Sequence, residues 1–368
     1  MEHLHRRIST VFNHLEDVEA IFLFNNDIVD KNFFYVSGLF DGVFDNCGVF
    51  CERNGRMFIL TSTLEEEASR AAEGYAEIVT YRNQQDRDKI LGRILSPHKR
   101  IGIPYHSVSH AFYLHLKDLF GDKEWLDAGT AFKKARMIKS HDEIEKIKRA
   151  CEIVDRIAGC IPALLKEGMT ELDLSAEIDF RLKREGAQGP AFKTIAAFGK
   201  NSSKPHYSGA RVPLKRGDLV LVDFGAEYNG YCSDITRTYL TAKPDQDLYD
   251  LYSAVLKMQK AAIELIRAGT NVKHVEDEVR TLIDGDERFR GRFIHSLGHS
   301  LGLDVHDGSY PDADFQTEFS EHMVLTVEPG IYLPGVYGVR IEDDIVVGRD
   351  GCTLITSANR EPVAYEIQ

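Results

Sequence analysis

The sequence predicts an α+β protein in which a smaller α/β domain precedes a larger one, and three observations support that prediction. The chain has 368 residues, a length that favours two domains. In its first third, short apolar runs alternate with helical patterns, as strands and helices do in α/β domains. After about residue 140 the helical segments come in pairs, and so do the strand segments. That order is typical of a sheet covered on one face by helices.

The predicted N-terminal domain covers residues 1–130. Its first strand is the apolar run AIFLF at 20–24, and Asn54-Gly55 is a turn signal between two further strands. LEEEASRAAEG predicts a helix that ends at Gly74. KRIGIP predicts a strand and SHAFYLHLKDLFG a helix. We find no cluster of residues of catalytic type in this part of the sequence.

The predicted C-terminal domain covers residues 131–368 and contains four helices and four strand segments. The helix signals are a capping box at Ser140 and Glu143 with Gly168 after it, Thr170 and Asp173 with Gly186 after them, Asp245 with Gly269, and the periodicity of VKHVEDEVRTLID. The strand segments are DLVLVDFG, DITRTYL, HMVLTVE and GVRIEDDIVV.

Composition excludes several classes of protein. The formal net charge of −13 at pH 7 argues against a nucleic-acid partner, because such a surface needs a basic patch. No segment approaches about 18 uncharged apolar residues, so we expect no membrane span. The N-terminal sequence carries acids where a secretory signal needs an apolar stretch, and the six cysteines lack CxxC spacing. These features favour a soluble protein of the cytoplasm.

Five side chains in the second half lie in unusual strings: LVDFGAEYNGYCSDITRTYL, HSLGHSLGLDVHD, TVEPG and RIEDD. They are Asp223, Asp234, His299, Glu328 and Glu342. Four carboxylates in one site would raise one another's pKa, and desolvation would penalise each anion further. Two divalent cations would neutralise the set, and a metal pair about 3.5–4 Å apart is a known hydrolytic device. The sequence therefore predicts a two-metal hydrolase.

The turn signal Asn229-Gly230 supports this convergence. If those two residues form a hairpin loop, Asp223 lies opposite Thr236. Because residues two apart share a face of a strand, Asp223 and Asp234 then point the same way, as diagonal neighbours about 7–8 Å apart at Cα. Both carboxylates can thus reach cations placed between the strands.

The same parity places Arg340 and Glu342 on one face of GVRIEDD. Taken singly, an aspartate beside a turn is usually solvated and a histidine near glycine is usually structural. The prediction therefore depends on all the strings occurring, in order, in one domain.

These strings resemble those of the pita-bread metallopeptidases, which include Xaa-Pro dipeptidase (prolidase), aminopeptidase P, methionine aminopeptidase and creatinase. The resemblance runs from about residue 140 to the C-terminus, and the N-terminal domain, with NFFYVSGLFDG, is similar to the creatinase/prolidase type. It implies a pita-bread fold, a curved antiparallel sheet covered by helices. The extra domain favours the Xaa-Pro branch over methionine aminopeptidases. The retained ligands argue against creatinase, and against the less favoured alternative of a non-catalytic pita-bread binding protein.

The resemblance assigns a role to each residue by its motif. Asp223 in VDFGA is a terminal metal ligand, while Asp234 in CSDITRT and Glu342 in RIED bridge the metals. His299 in GHSLG and Glu328 in EPG each bind one metal.

Further catalytic roles are implied for residues around the ligands. His206 in KPHY lines the substrate site, His295 and His306 hydrogen-bond substrate or intermediate, and Arg340 orients the bridging carboxylate. Glu328 is also expected to take a proton from the attacking water and deliver it to the leaving nitrogen.

An oxygen-rich site with a single imidazole suits hard or borderline ions. We expect two divalent metal ions, with Mn²⁺ or Co²⁺ favoured and Zn²⁺ or Fe²⁺ open. The expected substrates are X-Pro dipeptides, or longer peptides with proline at the second position, whose X–Pro bond carries no N–H. The resemblance also implies a homodimer.

One string leaves the length of the peptide open. Prolidases commonly show His-Glu followed shortly by Pro and Arg, and that Arg can bind the carboxylate of a dipeptide. Here the string is His306-Asp307-Gly308-Ser309-Tyr310, without arginine, and it favours aminopeptidase P acting on longer peptides. The chain length and the compact N-terminal domain favour Xaa-Pro dipeptidase, which is our first expectation. A hydrolase of another small amide is a further alternative, because fold does not fix substrate.

Overall fold

The computed structural model describes residues 2–26, 29–308 and 317–367. It contains two compact units, Met1–Arg136 and Met137–Gln368. The domain boundary predicted after residue 130 falls within a helix at Gly129–Met137. Among the described residues, none of the helices combines the length and apolar character that crossing a bilayer requires.

The N-terminal unit is built on a mixed six-stranded sheet. Its strands are β1 Ala20–Phe24, β2 Gly48–Glu52, β3 Met57–Ser62, β4 Glu77–Tyr81, β5 Arg100–Ile103 and β6 Glu124–Asp127, in the order β4-β3-β2-β1-β5-β6. Its helices are α1 Glu2–Asn13, α2 Lys31–Ser37, α3 Glu66–Ser69, α4 Gln84–Leu95, α5 His110–Leu119 and α6 Gly129–Met137. The predicted first strand and the hairpin of β2 with β3 are confirmed.

One predicted helix in this unit is shorter than expected. The helix predicted to end at Gly74 consists of α3 and a 3₁₀ turn at Arg70–Ala72. β4 pairs parallel to β3, and a parallel pair needs a crossover connection. The segment between the two strands makes that crossover with α3 and the 3₁₀ turn.

The described helices of the C-terminal unit are α7 His141–Leu164, α8 Glu171–Arg184, α9 Gln246–Leu265 and α10 Val272–Asp284. They begin where the sequence predicts. Ser140 and Glu143 form a reciprocal capping box, and so do Thr170 and Asp173. The side chain of Asp245 accepts a backbone N–H at the start of α9.

The strands of this unit pair antiparallel in small sheets. They are β7 Gly189–Pro190, β8 Ile195–Phe198, β9 Leu219–Phe224, β10 Ala226–Tyr228, β11 Tyr231–Cys232, β12 Ile235–Leu240, β13 Val324–Val327, β14 Gly330–Leu333, β15 Tyr337–Arg340, β16 Asp343–Val347 and β17 Cys352–Leu354. The sheet orders are β11-β10-β7, β12-β9-β8, β13-β16-β17 and β14-β15.

Helices cover both faces of β9, whereas the sequence predicted helices on one face only. Leu219 and Leu221 join the apolar cluster of α9 and α10, while Val220 and Val222 join the cluster of α7 and α8. The continuous apolar run LVLV is the pattern of a strand that is buried on both faces. The α+β layering itself is confirmed.

Candidate metal centre

The β9–β12 hairpin places two of the predicted ligands. Asp223 is the Cα partner of Thr236, as the sequence predicts. The loop is closed by Asn229 at φ 47° and Gly230 at φ 77°, and a two-residue hairpin turn with two positive φ values favours that pair of residues. Asp234 immediately precedes β12, the strand that contains Thr236.

Glu342 lies where the chain changes its strand partner. The sequence predicts one strand over GVRIEDDIVV, but the structure divides it into β15 and β16. Arg340 pairs with Gly330 of β14, and Asp343 pairs with Val327 of β13. The Glu342 amide, freed from both pairings, donates to the carbonyl of Thr236 at 3.1 Å. The break thereby holds Glu342 against the aspartate-bearing hairpin.

His299 and Glu328 are held together by a second local arrangement. The amide of His299 donates to the Thr326 hydroxyl at 3.0 Å, and the amide of Thr326 donates to the His299 carbonyl at 2.9 Å. The Glu328 amide donates to the carbonyl of Leu297 at 2.8 Å. Gly298 allows this approach, because a Cβ there would collide with the Thr326 carbonyl.

All the predicted ligands line one cavity of about 560 Å³. His299 Nε2 lies 3.6 Å from Asp234 Oδ2 and 3.4 Å from Glu328 Oε1. Asp234, His299 and Glu342 each offer a ligand atom within 4.8 Å of the others. Asp223 also lines this cavity. Residues from four separate strings therefore converge.

The carboxylates of the cavity resist ionisation together. Burial, reinforced by the charges of Glu342 and Asp223, raises the pKa of Asp234 well above its usual range. Burial and the charges of Glu328 and Asp223 do the same for the pKa of Glu342. Burial raises the pKa of Glu328 to about 8, with Arg340 opposing the shift. Burial also raises the pKa of Asp223.

His299 presents a lone pair to this acidic group. Its Nδ1 lies 3.3 Å from the carbonyl of Ser300, which can only accept, so Nδ1 carries the proton and Nε2 faces the carboxylates unprotonated. Burial, with the charge of His306 adding to it, lowers the pKa of His299 to about 3. A neutral imidazole aimed at carboxylate oxygens is the arrangement of a metal ligand.

Arg340 connects Asp223 to Thr236, which the sequence places opposite it, and to Tyr332, which the sequence analysis did not indicate. Its Nη2 donates to Asp223 Oδ2 at 2.5 Å, its Nε to Thr236 Oγ1 at 3.0 Å and its Nη1 to the Tyr332 hydroxyl at 2.8 Å. The Thr236 hydroxyl in turn donates to Glu342 Oε2 at 2.6 Å. Tyr332 could have been found by strand parity, because Gly330 pairs with Arg340 and residues two apart share a face.

Asp344 is a second residue that sequence reasoning missed. Its Oδ2 accepts from the amide of Asp234 at 2.9 Å and from the thiol of Cys151 at 3.3 Å. Burial raises its pKa well above the usual range. The side chain therefore supports the backbone of Asp234 from behind the cavity. The string RIEDD contains it, but only the partner switch at Glu342 shows which way it points.

The predicted accessory histidines occupy different environments. His206 and His306 line the cavity, and the His306 ring meets the His299 ring edge-on at 4.2 Å between centroids. His295 also lines the cavity, but its Nδ1 lies 2.8 Å from the Ser296 carbonyl and its Nε2 lies 3.0 Å from the Tyr332 hydroxyl. The expected hydrogen bond from His295 to substrate would require one of these partners to be exchanged.

Ser309 and Tyr310 lie outside the described residues. They belong to the string that bears on the length of the substrate peptide. The preceding residues are described. Asp307 is buried, and its Oδ2 accepts from the amide of Leu303 at 3.0 Å. This hydrogen bond joins the two ends of the loop 303–307, which carries His306.

Comparison with known protein families finds a match for each of the two units. Residues 145–349 match the model of metallopeptidase family M24, and residues 13–138 match the creatinase/prolidase N-terminal domain. The chain belongs to metallopeptidase family M24. Its C-terminal unit therefore has the pita-bread fold, and its N-terminal unit is the creatinase/prolidase type.

The relatives of this M24 chain include proteins named Xaa-Pro dipeptidase and a protein named X-Pro aminopeptidase. The Xaa-Pro dipeptidase of Pyrococcus furiosus is 37% identical over 255 residues, which are 69% of this chain and 73% of that protein. The solved structure of an X-Pro aminopeptidase from Thermotoga maritima is 31% identical with a TM-score of 0.87, covering 96% and 99% of the two chains. That of an Xaa-Pro dipeptidase from Bacillus anthracis is 29% identical with a TM-score of 0.89, covering 98% and 99%.

Metallopeptidases of this family require divalent metal ions, and the residues of the cavity fit them. Asp223 Oδ1 and Asp234 Oδ1 are buried without a hydrogen-bond donor among the described residues. A buried acceptor without a partner is costly, and carboxylate oxygens beside a neutral imidazole are ligands that divalent cations accept. Bound cations would satisfy these oxygens and offset the mutual repulsion of the carboxylates.

Proposed function

We propose that this protein is a dinuclear metal-dependent exopeptidase that hydrolyses the X–Pro bond, with Xaa-Pro dipeptides as its first class of substrate. The observation that carries the proposal is the convergence of four buried carboxylates and a neutral imidazole in one cavity, two of whose carboxylate oxygens lack a donor among the described residues. The dipeptidase names of relatives in Pyrococcus furiosus and Bacillus anthracis support the substrate class.

The metals would be held by the five side chains that the motifs indicate: Asp223, Asp234, His299, Glu328 and Glu342. Two divalent ions there, when bound, supply Lewis-acid polarisation of the scissile carbonyl and acidify a water. The ligand set of oxygens and one imidazole favours Mn²⁺ or Co²⁺, and it admits Zn²⁺ or Fe²⁺.

Glu328 is the residue that we assign to proton transfer. Its carboxyl lines the cavity beside His299, within reach of a water held there, as a general acid–base residue must be. It would accept a proton from the attacking water and return it to the proline nitrogen as the C–N bond breaks. Thr326 Oγ1, 3.3 Å from Glu328 Oε1, orients the carboxyl.

His306 and His206 are the cavity histidines that we assign to substrate. Both line the cavity, and His306 is fixed against His299 by its ring contact. A donor N–H from either ring would stabilise the negative charge that develops on the scissile carbonyl oxygen. Neither role requires an N–H on the scissile bond, which proline does not have.

A second candidate, aminopeptidase P acting on longer peptides, is favoured by one observation. Among the described residues that line the cavity, Arg340 is the only lysine or arginine, and each of its three nitrogens already donates to Thr236, Tyr332 or Asp223. The sequence SYPDADFQ at 309–316 contains no basic residue either. A dipeptide's terminal carboxylate would therefore find, among the described residues of the cavity, no lysine or arginine that is not already paired with a carboxylate, whereas an extended peptide has no charge to neutralise there.

The test is a substrate comparison with the purified full-length protein. Met-Pro and Met-Pro-Ala are offered in parallel, after EDTA treatment and after addition of Mn²⁺ or Co²⁺, and the released amino acid is quantified. The proposal predicts metal-dependent release of methionine, with Met-Pro preferred if the dipeptidase assignment is right and Met-Pro-Ala if the aminopeptidase assignment is right. Hydrolysis that is indifferent to chelation, or absent for both peptides, would contradict the function.

We further propose a cytoplasmic location and a homodimer. All six cysteines are free thiols in the structure, which suits a reducing compartment. The homodimer follows from the family resemblance, and sedimentation of the metal-loaded protein tests it.

A further inference from the structure

Glu171 is a fully buried acid that accepts an unusual number of hydrogen bonds from one stretch of chain. It is the first residue of α8, and its relative exposure is 0%. Its Oε1 accepts from the amide of Phe198 and from Asn201 Nδ2, each at 2.9 Å. Its Oε2 accepts from the Tyr207 hydroxyl at 2.8 Å and from the amide of Ala210 at 3.0 Å. Each carboxylate oxygen therefore serves two donors.

Along the chain, the four donors lie on both sides of His206. We call residues 198–210 the histidine segment, because His206 lies within it and lines the metal cavity. The neighbouring Tyr207 directs its hydroxyl to Glu171, and Asn201 Nδ2 also lies 3.0 Å from that hydroxyl. Burial and the hydrogen bond to Glu171 raise the pKa of Tyr207 to about 12, which keeps the hydroxyl protonated as a donor.

Capping of α8 does not account for this arrangement. Thr170 and Asp173 already form a complete capping box at the start of the helix. A buried anion costs free energy unless hydrogen bonds compensate it, and charge-assisted bonds to several donors hold their geometry more firmly than neutral ones. The carboxylate of Glu171 is thus directed entirely to the histidine segment.

We propose that Glu171 is a positioning residue for His206, holding the histidine segment at four points so that the imidazole stays at the metal cavity. The inference rests on the proposed function, because the position of His206 matters for catalysis only if this cavity is the reaction site. A displacement of about 1 Å in a catalytic group can cost about a hundredfold in rate.

The first test needs no substrate. Glu171→Gln keeps the shape of the side chain but replaces one acceptor oxygen by an NH₂ group, so two of the four donors lose their acceptor. Amide hydrogen exchange of the full-length protein should then be at least about tenfold faster in the histidine segment. Asp173→Ala, which removes the capping box from the same helical turn, is the matched control and should leave that segment unchanged. Unchanged exchange in Glu171→Gln would overturn the proposal.

The second test is a double-mutant cycle on X-Pro hydrolysis with Glu171→Gln and His206→Ala. In the wild-type background, Glu171→Gln should lower kcat by about tenfold to a hundredfold. In the His206→Ala background it should lower kcat by less than about twofold, because a residue that acts through His206 has nothing left to position. Equal factors in both backgrounds would show a general structural role and overturn the inference. If the wild type cleaves no X-Pro peptide, the proposed function fails, while hydrogen exchange still decides what Glu171 holds.

Discussion

The Tyr332 hydroxyl joins His295 to Arg340: it lies 3.0 Å from His295 Nε2 and accepts from Arg340 Nη1 at 2.8 Å. His295 Nδ1 faces the carbonyl of Ser296 at 2.8 Å, so Nδ1 carries the proton and Nε2 accepts from the tyrosine. Burial, with the charge of Arg340 adding to it, lowers the pKa of His295 to about 4. A neutral histidine therefore ends a chain of hydrogen bonds that begins at Asp223.

Tyr332→Phe should interrupt this chain and lower activity. Arg340 Nη1 and His295 Nε2 would both lose a partner inside the protein, which leaves Arg340 held by Asp223 and Thr236 alone. We expect kcat to fall by about tenfold and the free energy of unfolding by about 1–3 kcal/mol. Steady-state kinetics and urea unfolding of the metal-loaded protein measure the two effects.

The matched control for this variant is Tyr239→Phe. Tyr239 is a buried tyrosine of the same unit, and its hydroxyl donates to the carbonyl of Ala158 at 2.9 Å. Its loss should destabilise the protein by a similar amount and leave kcat unchanged. Equal kinetic effects in the two variants would show that the Tyr332 hydroxyl contributes only to stability.

Glu342→Gln and Asp343→Asn should have opposite effects on the stability of the metal-free protein. Burial and the neighbouring carboxylates raise the pKa of Glu342 well above its usual range, so neutralising it relieves repulsion and the metal-free variant should melt at a higher temperature. Asp343 Oδ1 instead pairs with Arg237 Nη2 at 2.6 Å. Breaking that buried pair should cost about 3–5 kcal/mol.

The same pair of variants separates metal binding from stability. Glu342→Gln should lower metal affinity and hydrolysis by at least about a hundredfold, although its remaining oxygen can still accept the Thr236 hydroxyl. Calorimetry with and without EDTA, together with elemental analysis of bound metal, measures both properties. A metal-free Glu342→Gln protein that is less stable than the metal-free wild type would refute the repulsion argument.

The stability of the metal-free protein should fall as pH rises. Glu328 has an ordinary pKa of 4.5 and a folded pKa of about 8, so between these values the folded state binds a proton that the unfolded state has released. Unfolding free energy therefore decreases with pH across this window, by about 1.4 kcal/mol per pH unit for such a proton. Above about pH 8 this contribution is constant and at its least favourable.

Thermal unfolding of the metal-free protein, measured from pH 5 to pH 9 with EDTA, tests whether its stability falls as pH rises. Bound metal should reduce the slope, because it stabilises the ionised carboxylates and binds more tightly as protons leave the ligands. Glu328→Gln, which cannot titrate, should show a smaller slope without metal. A metal-free wild type that gains stability between pH 6 and pH 8 would exclude the predicted direction.

Local signals account for what the sequence predicted well. Asn229 and Gly230 define the hairpin loop, and a side-chain period of two then fixes Asp223 opposite Thr236. The capping boxes at the starts of α7 and α8 depend only on residues three apart. Each of these features is decided within a few residues, so one sequence suffices to find it.

Features set by distant partners were not predictable in this way. The break between β15 and β16 depends on Arg340 and Asp343 pairing with different strands. The contact of Asp344 with the amide of Asp234 joins residues far apart in the chain. Local periodicity does not identify a remote strand, nor the side that a strand presents to it. Asp344 and Glu171 therefore became visible only in the folded chain.

Lys139 and Asp307 form a buried ion pair behind the loop that carries His306. Their relative exposures are 2% and 3%, the Nζ–Oδ2 distance is 3.7 Å, and Lys139 Nζ also donates to Ser300 Oγ at 3.1 Å. Lys139→Met should cost about 3–5 kcal/mol, because removing one partner of a buried pair leaves the other charge in a poor environment. The exposed pair Lys148–Glu145, with an N–O distance of 2.8 Å, provides the control, and Lys148→Met should cost less than about 1 kcal/mol.

The double variant Lys139→Met/Asp307→Leu tests whether the two positions are coupled. In urea unfolding, its loss of unfolding free energy should be smaller than the sum of the losses in the two single variants. Additive losses, or a Lys139→Met cost no larger than that of Lys148→Met, would show that the pair does not hold the loop.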